Sequence, residues 1–219
     1  MPTGIHGRVT GDAQGGAYWF DSNASLMRIT PEARAAERVR DLVGEFSDTE
    51  NLAVQGDYVY FNDLSYATSS VRRVRKDGTS TSELVVTDDM ITAFSVTADA
   101  IYYASQILTG HIVQCPLDDC SAGGNTLVAN QRWPEEVQIH GNEAFWLTHH
   151  RFSNPVTHAA LSSCMLPDCA SVKERLSDLA VDGVVPYQQE GPKYAVGSRA
   201  IIWLEQFPGS WSSLRRLPR

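Results

Sequence analysis

The stretch "VQGDYVYFND", residues 54–63, holds a β-branched residue, the turn-forming pair Gly56-Asp57 and then an apolar-aromatic run ending in Tyr60-Phe61. Two extended segments joined by a Gly-Asp turn read as a β-hairpin. What the hairpin means depends on whether the chain uses it once or repeats it. Related stretches occur as "VTADAIYY" from Val96, "IHGNEAFWL" from Ile139 and "AVGSRAIIWL" around Val196, with a longer relative, "VTGDAQGGAYWF", from Val9. In four copies the β-branched residue leads the closing apolar pair by 6 positions: Val54 to Tyr60, Val96 to Tyr102, Ile139 to Phe145 and Val196 to Ile202. Val9 to Tyr18 is the longer exception.

The spacing is as regular as the motif. Tyr18, Tyr60, Tyr102 and Phe145 are separated by 42, 42 and 43 residues, and a step of 57 leads to Ile202. A second extended element follows each copy, in "SLMRIT" (25–30), "SVRRVRKDG" (70–78), "HIVQCPLDDC" (111–120), "AALSSCMLPDC" (159–169) and "SSLRRLPR" (212–219). A further β-rich run precedes the next copy, as in "SELVVTDD" (82–89) and "NTLVANQ" (125–131). Four short strands in about 42 residues is the arithmetic of a β-propeller blade, and the segments lack the 3.6-residue periodicity of helical solenoids. The fold class expected is all-β: a single propeller domain over 1–219 with about five four-stranded blades, starting near residues 5, 50, 92, 135 and 192. In each blade the β-branched residue belongs to the first, inner strand, and the aromatic pair sits on the second and packs between blades. The last blade reaches Arg219 after its third strand and is expected to be incomplete, its open edge calling for a partner strand or a covering loop. Segment 31–43, "PEARAAERVRDLV", interrupts the pattern. Pro31 at a first-turn position and an Ala/Glu/Arg-rich stretch favour a short helix inserted there, with a distorted outer strand as the alternative.

On "AYWF", "VYFN", "IYYA" and "AFWL" the chain resembles the YWTD-like and TolB-like β-propellers, which carry a hydrophobic-aromatic pair once per blade. The resemblance covers nearly the whole chain and implies a fold. Propellers of this kind serve as protein-binding platforms, as carbohydrate or small-molecule binders and occasionally as enzymes, so function has to be argued from the site.

Composition narrows the partners. At 219 residues and 42% hydrophobic, the chain buries a full core. With 18 Lys and Arg against 26 Asp and Glu, its formal net charge is -8, which argues against nucleic acid. No apolar run is long enough for a membrane-spanning helix, and "MPTGIHGRVTGD" lacks the apolar core of a secretory signal. The chain is therefore expected to be either cytoplasmic or a mature segment whose leader is absent.

The four cysteines bear on that choice. "CPLDDC" (Cys115, Cys120) and "CMLPDC" (Cys164, Cys169) have the same spacing and the same place in their repeats, at the end of the third strand. A four-residue loop sets its flanking residues opposite each other at disulfide distance, so both pairs read as local disulfides. A zinc site made from all four is the rival, although CxxxxC is looser than the usual ligand spacing. Free cysteines in a cytoplasmic protein are the third reading. Disulfides imply a periplasmic or secreted chain; reduced cysteines would place it in the cytoplasm.

Chemistry in a propeller gathers on the loops that enter the first strands and join the second to the third. The entering loops are "EFSDTENL" (45–52), "TDDMITAF" (87–94), "NQRWPEEV" (130–137) and "VPYQQEGPKY" (185–194); the others are "NDLSYATS" (62–69), "SQILTG" (105–110), "THHRFSNPVTH" (148–158) and "EQFPGSWS" (205–212). The longest insertions fall in blades four and five, and insertions on one face of a repeat protein mark the binding face. Trp133, Glu135, Glu136, His149, His150, Arg151, Tyr187, Glu190, Phe207 and Trp211 would form an aromatic-lined cleft rimmed with carboxylates and imidazoles. His149-His150 with His140 and His158 invites a metal reading, but adjacent strand residues point opposite ways and no ligand spacing supports it. Glu135-Glu136 lacks the opposed geometry of a catalytic carboxylate pair. The serines of "SWSS" and "LSSC" have no nucleophile-elbow context. Asp88-Asp89 and "DLAVDG" (178–183) lack the alternation of a calcium loop and read as turns. The basic runs 72–76 and 215–219 read as solvated third-strand faces, with an acidic partner as the functional alternative.

Three functions compete. The first is a non-catalytic binding module outside the cytoplasm, needing no cofactor or metal, that holds a peptide, protein or small ligand on the loop face. The second is a lyase or hydrolase using His149 or His150 with Glu135 or Glu136. The third is a self-assembling module, a homodimer completed by strand exchange at the open blade.

Overall fold

The structure, a computed structural model, describes residues 5–43, 51–64, 68–105, 109–120, 123–149, 156–182, 194–205 and 213–219. Five antiparallel sheets succeed one another along the chain. The first comprises β1 (Ile5–Gly11), β2 (Ala17–Asp21), β3 (Ser25–Ile29) and β4 (Glu37–Asp41); the second, β5 (Leu52–Gln55), β6 (Tyr58–Leu64), β7 (Ser69–Arg75) and β8 (Glu83–Asp88). The third comprises β9 (Ile91–Val96), β10 (Ala100–Ser105), β11 (Gly110–Pro116) and β12 (Asn125–Gln131); the fourth, β13 (Pro134–His140), β14 (Glu143–His149), β15 (Val156–Met165) and β16 (Val172–Asp182). Among the described residues the fifth holds three strands, β17 (Tyr194–Val196), β18 (Ala200–Glu205) and β19 (Ser213–Pro218). In every sheet the spatial order of the strands is their order in the chain. This succession of meanders is a β-propeller whose fifth blade shows three strands among the described residues.

The hairpin at residues 54–63 forms as its sequence dictates. Val54 pairs with Val59 and Gln55 with Tyr58, leaving Gly56-Asp57 as the two-residue turn. Gly56 takes a φ of 56°, which a residue without a Cβ adopts at no steric cost. Tyr60 and Phe61 lie on the second strand of the blade, and both are buried.

Segment 31–43 forms no helix. A turn at Pro31 and Glu32 leads into β4, which pairs with β3 through Arg28↔Glu37, Met27↔Arg38 and Leu26↔Arg40, with a bulge between Leu26 and Met27. Good helix formers are overridden here because the β3 edge offers cross-strand hydrogen bonds and an arginine–glutamate pair that an isolated helical turn does not. Asp178 and Asp182, expected in a turn, belong to β16 instead.

The chain divides into two compact units: Met1–Ile91 with Val96–Ile101 and Cys115–Gly124, and Thr92–Ser95 with Tyr102–Gln114 and Asn125–Arg219. The first unit contains blades one and two, with a core of Tyr18, Phe20, Leu26, Leu42, Val59, Phe61 and Val74. The rings of Phe20 and Phe61 meet edge to face, 5.5 Å apart between centroids at 76°. Polar groups tie the same two blades together. The Lys76 ammonium reaches the Asp12 carboxylate at 3.4 Å, and the Arg28 guanidinium donates to the Lys76 carbonyl at 3.2 Å. Arg73 and Arg75, expected to face solvent, lie only partly exposed over the ring of Tyr58, with their guanidinium carbons 4.4 and 5.7 Å from its centroid.

The second unit contains blades four and five, with a core of Phe145, Leu147, Ala159, Leu161, Leu179, Tyr194 and Ile201. Beside it a buried carboxylate, Glu143, gathers two partly exposed arginines. Glu143 accepts from the Ser163 hydroxyl at 2.8 Å and the Arg219 guanidinium at 2.6 Å, and it forms an ion pair with Arg175. Arg219 lies 5.2 Å from the Phe145 ring centroid, and its amide donates to the Arg199 carbonyl at 3.2 Å. Burial acts to raise the Glu143 carboxyl, but Ser163, Arg175 and Arg219 more than offset it, so the group titrates below its ordinary value.

All four cysteines are used, in the pairs Cys115–Cys120 and Cys164–Cys169, with Cα separations of 5.3 and 5.0 Å. Each closes its own turn after a third strand, which leaves no thiolate for zinc.

Truncating Phe61 to Ala should cost about 3–5 kcal/mol in urea denaturation; a loss under about 1 kcal/mol would mean the ring is not packed as described. Because the folded-state pKa of Glu143 is depressed, its contribution to stability is complete above the unfolded-state value of about 4.3 and is lost as pH falls through the folded-state value. Wild type should therefore lose stability in that acid range more steeply than Glu143→Gln, and parallel pH profiles would remove the charge cluster as the cause.

Candidate functional site

The residues singled out from sequence centre on the start of blade four. The structure shortens the expected entering loop: β12 runs to Gln131 and β13 begins at Pro134, so only Arg132 and Trp133 connect them. A connection this tight demands unusual backbone conformations. Asn130, Trp133 and Glu136 take φ values of 57°, 49° and 54°, the left-handed region that bulky residues avoid. Three such residues within seven positions survive only where their surroundings over-determine them.

Those surroundings are explicit. The β13–β14 register slips between Glu135, opposite Leu147, and Gln138, opposite Phe145, so Glu136 sits in a β-bulge. Bulges re-aim side chains and collect beside functional sites. The Tyr194 hydroxyl donates to the Glu136 carbonyl. Two residues on, the Gln138 side chain donates to the Tyr194 carbonyl at 2.6 Å and accepts from the Val196 amide at 3.3 Å, fixing β13 against β17. From blade three, the Thr92 hydroxyl donates to the Pro134 carbonyl at 2.8 Å. Gly110 stands against the Pro134 ring and the Ser105 carbonyl so closely that any Cβ there would collide with both. The Ser105 hydroxyl, at the end of β10, is fully buried and has no hydrogen-bond partner among the described residues.

The arrangement presents a half-buried indole, a half-buried carboxylate and a buried carboxylate from Trp133, Glu135 and Glu136. Thr148 pairs with Pro134, so His149, the last residue of β14, stands at the register level of Trp133. The sequence argument thus brings Trp133, Glu135, Glu136 and His149 to one end of one blade. His150, Arg151, Tyr187, Glu190, Phe207 and Trp211 lie outside the described residues. His140 is at the opposite end of β13, paired with Glu143, away from this group. Among the described residues no three His, Cys, Asp or Glu side chains gather as metal ligands, and no helix is long and apolar enough to cross a membrane.

Sequence reasoning missed the supporting residues Thr92, Ser105, Gly110, Asn130 and Tyr194. Two carried a readable signal: Asn tolerates the left-handed region, and an isolated Gly at the start of a strand marks close backbone approach. Thr92 and Tyr194 act through contacts across 42 and 58 positions, which no local pattern announces.

No protein-family model matches the chain, and no curated protein matches it in sequence. Solved structures do match in fold. A chain from a nidogen/laminin complex is 12% identical with a TM-score of 0.62, covering 93% of this chain and 73% of that one. A puromycin-hydrolyzing peptidase from Mycobacterium tuberculosis is 9% identical with a TM-score of 0.64, covering 100% of this chain and 38% of that one. A prolyl endopeptidase is 12% identical with a TM-score of 0.61, covering 99% of this chain and 34% of that one. The chain thus spans little more than a third of either peptidase. At these identities the likeness is one of fold, and it agrees with the blades read from the repeat.

The left-handed backbone makes a direct prediction. Asn130→Gly should leave stability unchanged or raise it by up to about 1 kcal/mol, and Asn130→Val should lower it by about 1–2 kcal/mol. Equal thermal midpoints for the two variants would contradict a strained turn at this position.

Proposed function

We propose that the chain is a binding module rather than an enzyme, acting outside the cytoplasm and holding a peptide, protein or small-molecule ligand at the strand-entry end of blade four. The observation that carries this reading is the run of three left-handed, non-glycine residues, Asn130, Trp133 and Glu136, braced by Tyr194 and Thr92. Strain of this kind persists where a rigid loop presents side chains in a set geometry. The side chains presented suit recognition: an indole offers a flat stacking surface at low entropic cost, and the carboxylates of Glu135 and Glu136 accept hydrogen bonds from hydroxyl, amide or ammonium groups. Arg151, Tyr187, Glu190, Phe207 and Trp211 supply further aromatic and polar contacts in this proposal. The two disulfides support an oxidising, extracytoplasmic setting. The match to a chain taken from a protein–protein complex, nidogen with laminin, favours the binding role.

Displaying the intact protein against arrays of peptides and of glycans tests the reading. Wild type should retain one ligand class, and Trp133→Ala should lower its affinity about tenfold or more, the expected cost of an aromatic anchor. Retention of nothing on either array, or the same affinity for wild type, Trp133→Ala and Glu135→Gln, would defeat the proposal.

A further inference from the structure

The turn between β2 and β3 carries a motif that the binding role leaves unused. Of the seven asparagines in the chain, only Asn23 has a Ser or Thr two positions on, in Asn23-Ala24-Ser25, and the residue between is not proline. N-x-S/T is the acceptor pattern for N-linked glycosylation, and it carries weight only in a surface turn of an exported chain. Blade one meets the first condition. Ser22 and Asn23 are exposed at the tip of the turn. The Ala24 amide closes it by donating to the Asp21 carbonyl at 3.0 Å, and Ala24 itself takes a φ of 58°. The second condition is the extracytoplasmic part of the proposed function, on which this inference rests.

The fold treats Asn23 and its flanking residues differently. Ser25, whose hydroxyl a glycan transferase has to hold, is 1% exposed, and that hydroxyl donates to the Asp41 carboxylate of β4 at 2.6 Å. Asp21 is 4% exposed and accepts from the Asn23 and Ser25 amides, both at 2.9 Å. The Leu42 amide donates to the Ala24 carbonyl at 3.2 Å. Folded blade one thus leaves Asn23 at the surface and seals the hydroxyl by which it would be read. Ser25 and Asp41 stand 16 positions apart and opposite each other, so the seal forms only when β4 pairs with β3.

From this division we propose that Asn23 is an N-glycan acceptor, modified in the exported chain before β4 closes blade one. The reaction is a glycosyl transfer from a lipid-pyrophosphate-linked oligosaccharide. The Asn23 side-chain nitrogen attacks the anomeric carbon, and a C–N bond forms there as the C–O bond to the pyrophosphate breaks. The lipid pyrophosphate leaves with the bonding pair, and the proton lost from the amide passes to a base of the transferase. Folding then carries the glycan at the tip of an exposed turn, where it displaces none of the buried groups around it.

The test uses the full chain behind a cleavable export leader, synthesised into membrane vesicles that contain an N-glycan transferase and its lipid-linked oligosaccharide. Wild type should gain the mass of one glycan, which peptide N-glycosidase removes with a carboxylate left in place of the Asn23 amide. Asn23→Gln should gain none. Ser25→Ala should also gain none, whatever its effect on folding, since the chain is read before blade one closes. Folded, oxidised wild type supplied to the same vesicles after permeabilisation should take up at most about a tenth as much glycan, because Ser25 is then available only in the locally opened fraction. An unmodified wild-type chain in vesicles that glycosylate a control acceptor, a glycan that persists in Asn23→Gln, or equal uptake by the folded chain would each overturn the proposal. Thiol alkylation of the same samples separates it from the extracytoplasmic assignment. Formed disulfides without a glycan overturn the acceptor site alone, whereas a glycan on a chain whose cysteines stay reduced upholds the site and counts against the disulfide argument for the compartment.

Discussion

A four-stranded meander has two faces, and a single small sheet cannot be stable with both exposed to water. The structure answers this by covering sheet with sheet. In the first unit the edge-to-face contact of Phe20 and Phe61 joins the second strands of blades one and two within a continuous apolar cluster. In the second unit Phe145 and Leu147 of blade four share a core with Tyr194 and Ile201 of blade five. The need to cover sheet faces explains why the second strand is the conspicuous part of the repeat: it lies between neighbours on both edges, and residues such as Phe61, Ile101, Trp146 and Ile201 lose nearly all contact with water.

Polar groups act where the apolar contact runs out. Gln138 presents its side-chain amide to the backbone of Tyr194 and Val196, imitating one rung of a ladder between two blades. Lys76 does the same work by charge, reaching an Asp12 carboxylate that already accepts from the Gly16 amide at 2.8 Å and the Tyr18 hydroxyl at 3.2 Å. Burial tends to raise that carboxyl, yet Gly16, Tyr18 and Lys76 together bring it below its ordinary value, so the turn at the end of β1 is held in the charged form. The arginines of β7 are satisfied in part by Tyr58 and in part by acids, Glu83 for Arg73 and Asp77 for Arg75. A basic run that looks like a patch in one dimension is largely neutralised in three.

The fold was legible because its signals are local. Gly56-Asp57 lies in the same short hairpin as the strands it joins, and the six-residue offset that recurs from Val54, Val96, Ile139 and Val196 is a property of neighbouring residues. The cysteine turns were legible for the same reason. Segment 31–43 leaves a short helix and a distorted outer strand both open in sequence, because Ala, Glu and Arg report intrinsic helix preference and say nothing of the β3 edge; the bulged strand is what forms. The candidate site was legible only in outline. Trp133 and Glu136 stood out by residue type, but their left-handed backbone depends on Tyr194, Thr92 and a register slip, none of which leaves a mark near them in the sequence. Positions that break local rules are where sequence reasoning fails and where function concentrates.

The meander order has a consequence for how the protein is made. Every described sheet pairs each strand with the next in the chain, so the strands of a blade can pair as soon as its own residues have left the ribosome. Contacts between blades reach further along the chain: Lys76 meets Asp12 across 64 residues, and Arg219 meets Glu143 across 76. Blade four therefore emerges with a buried carboxylate held by Ser163 and Arg175, and Arg219 of blade five joins them later. A charge laid down in blade four is thus fully met only once β19 has been made, which couples the packing of blade four to delivery of the third strand of blade five.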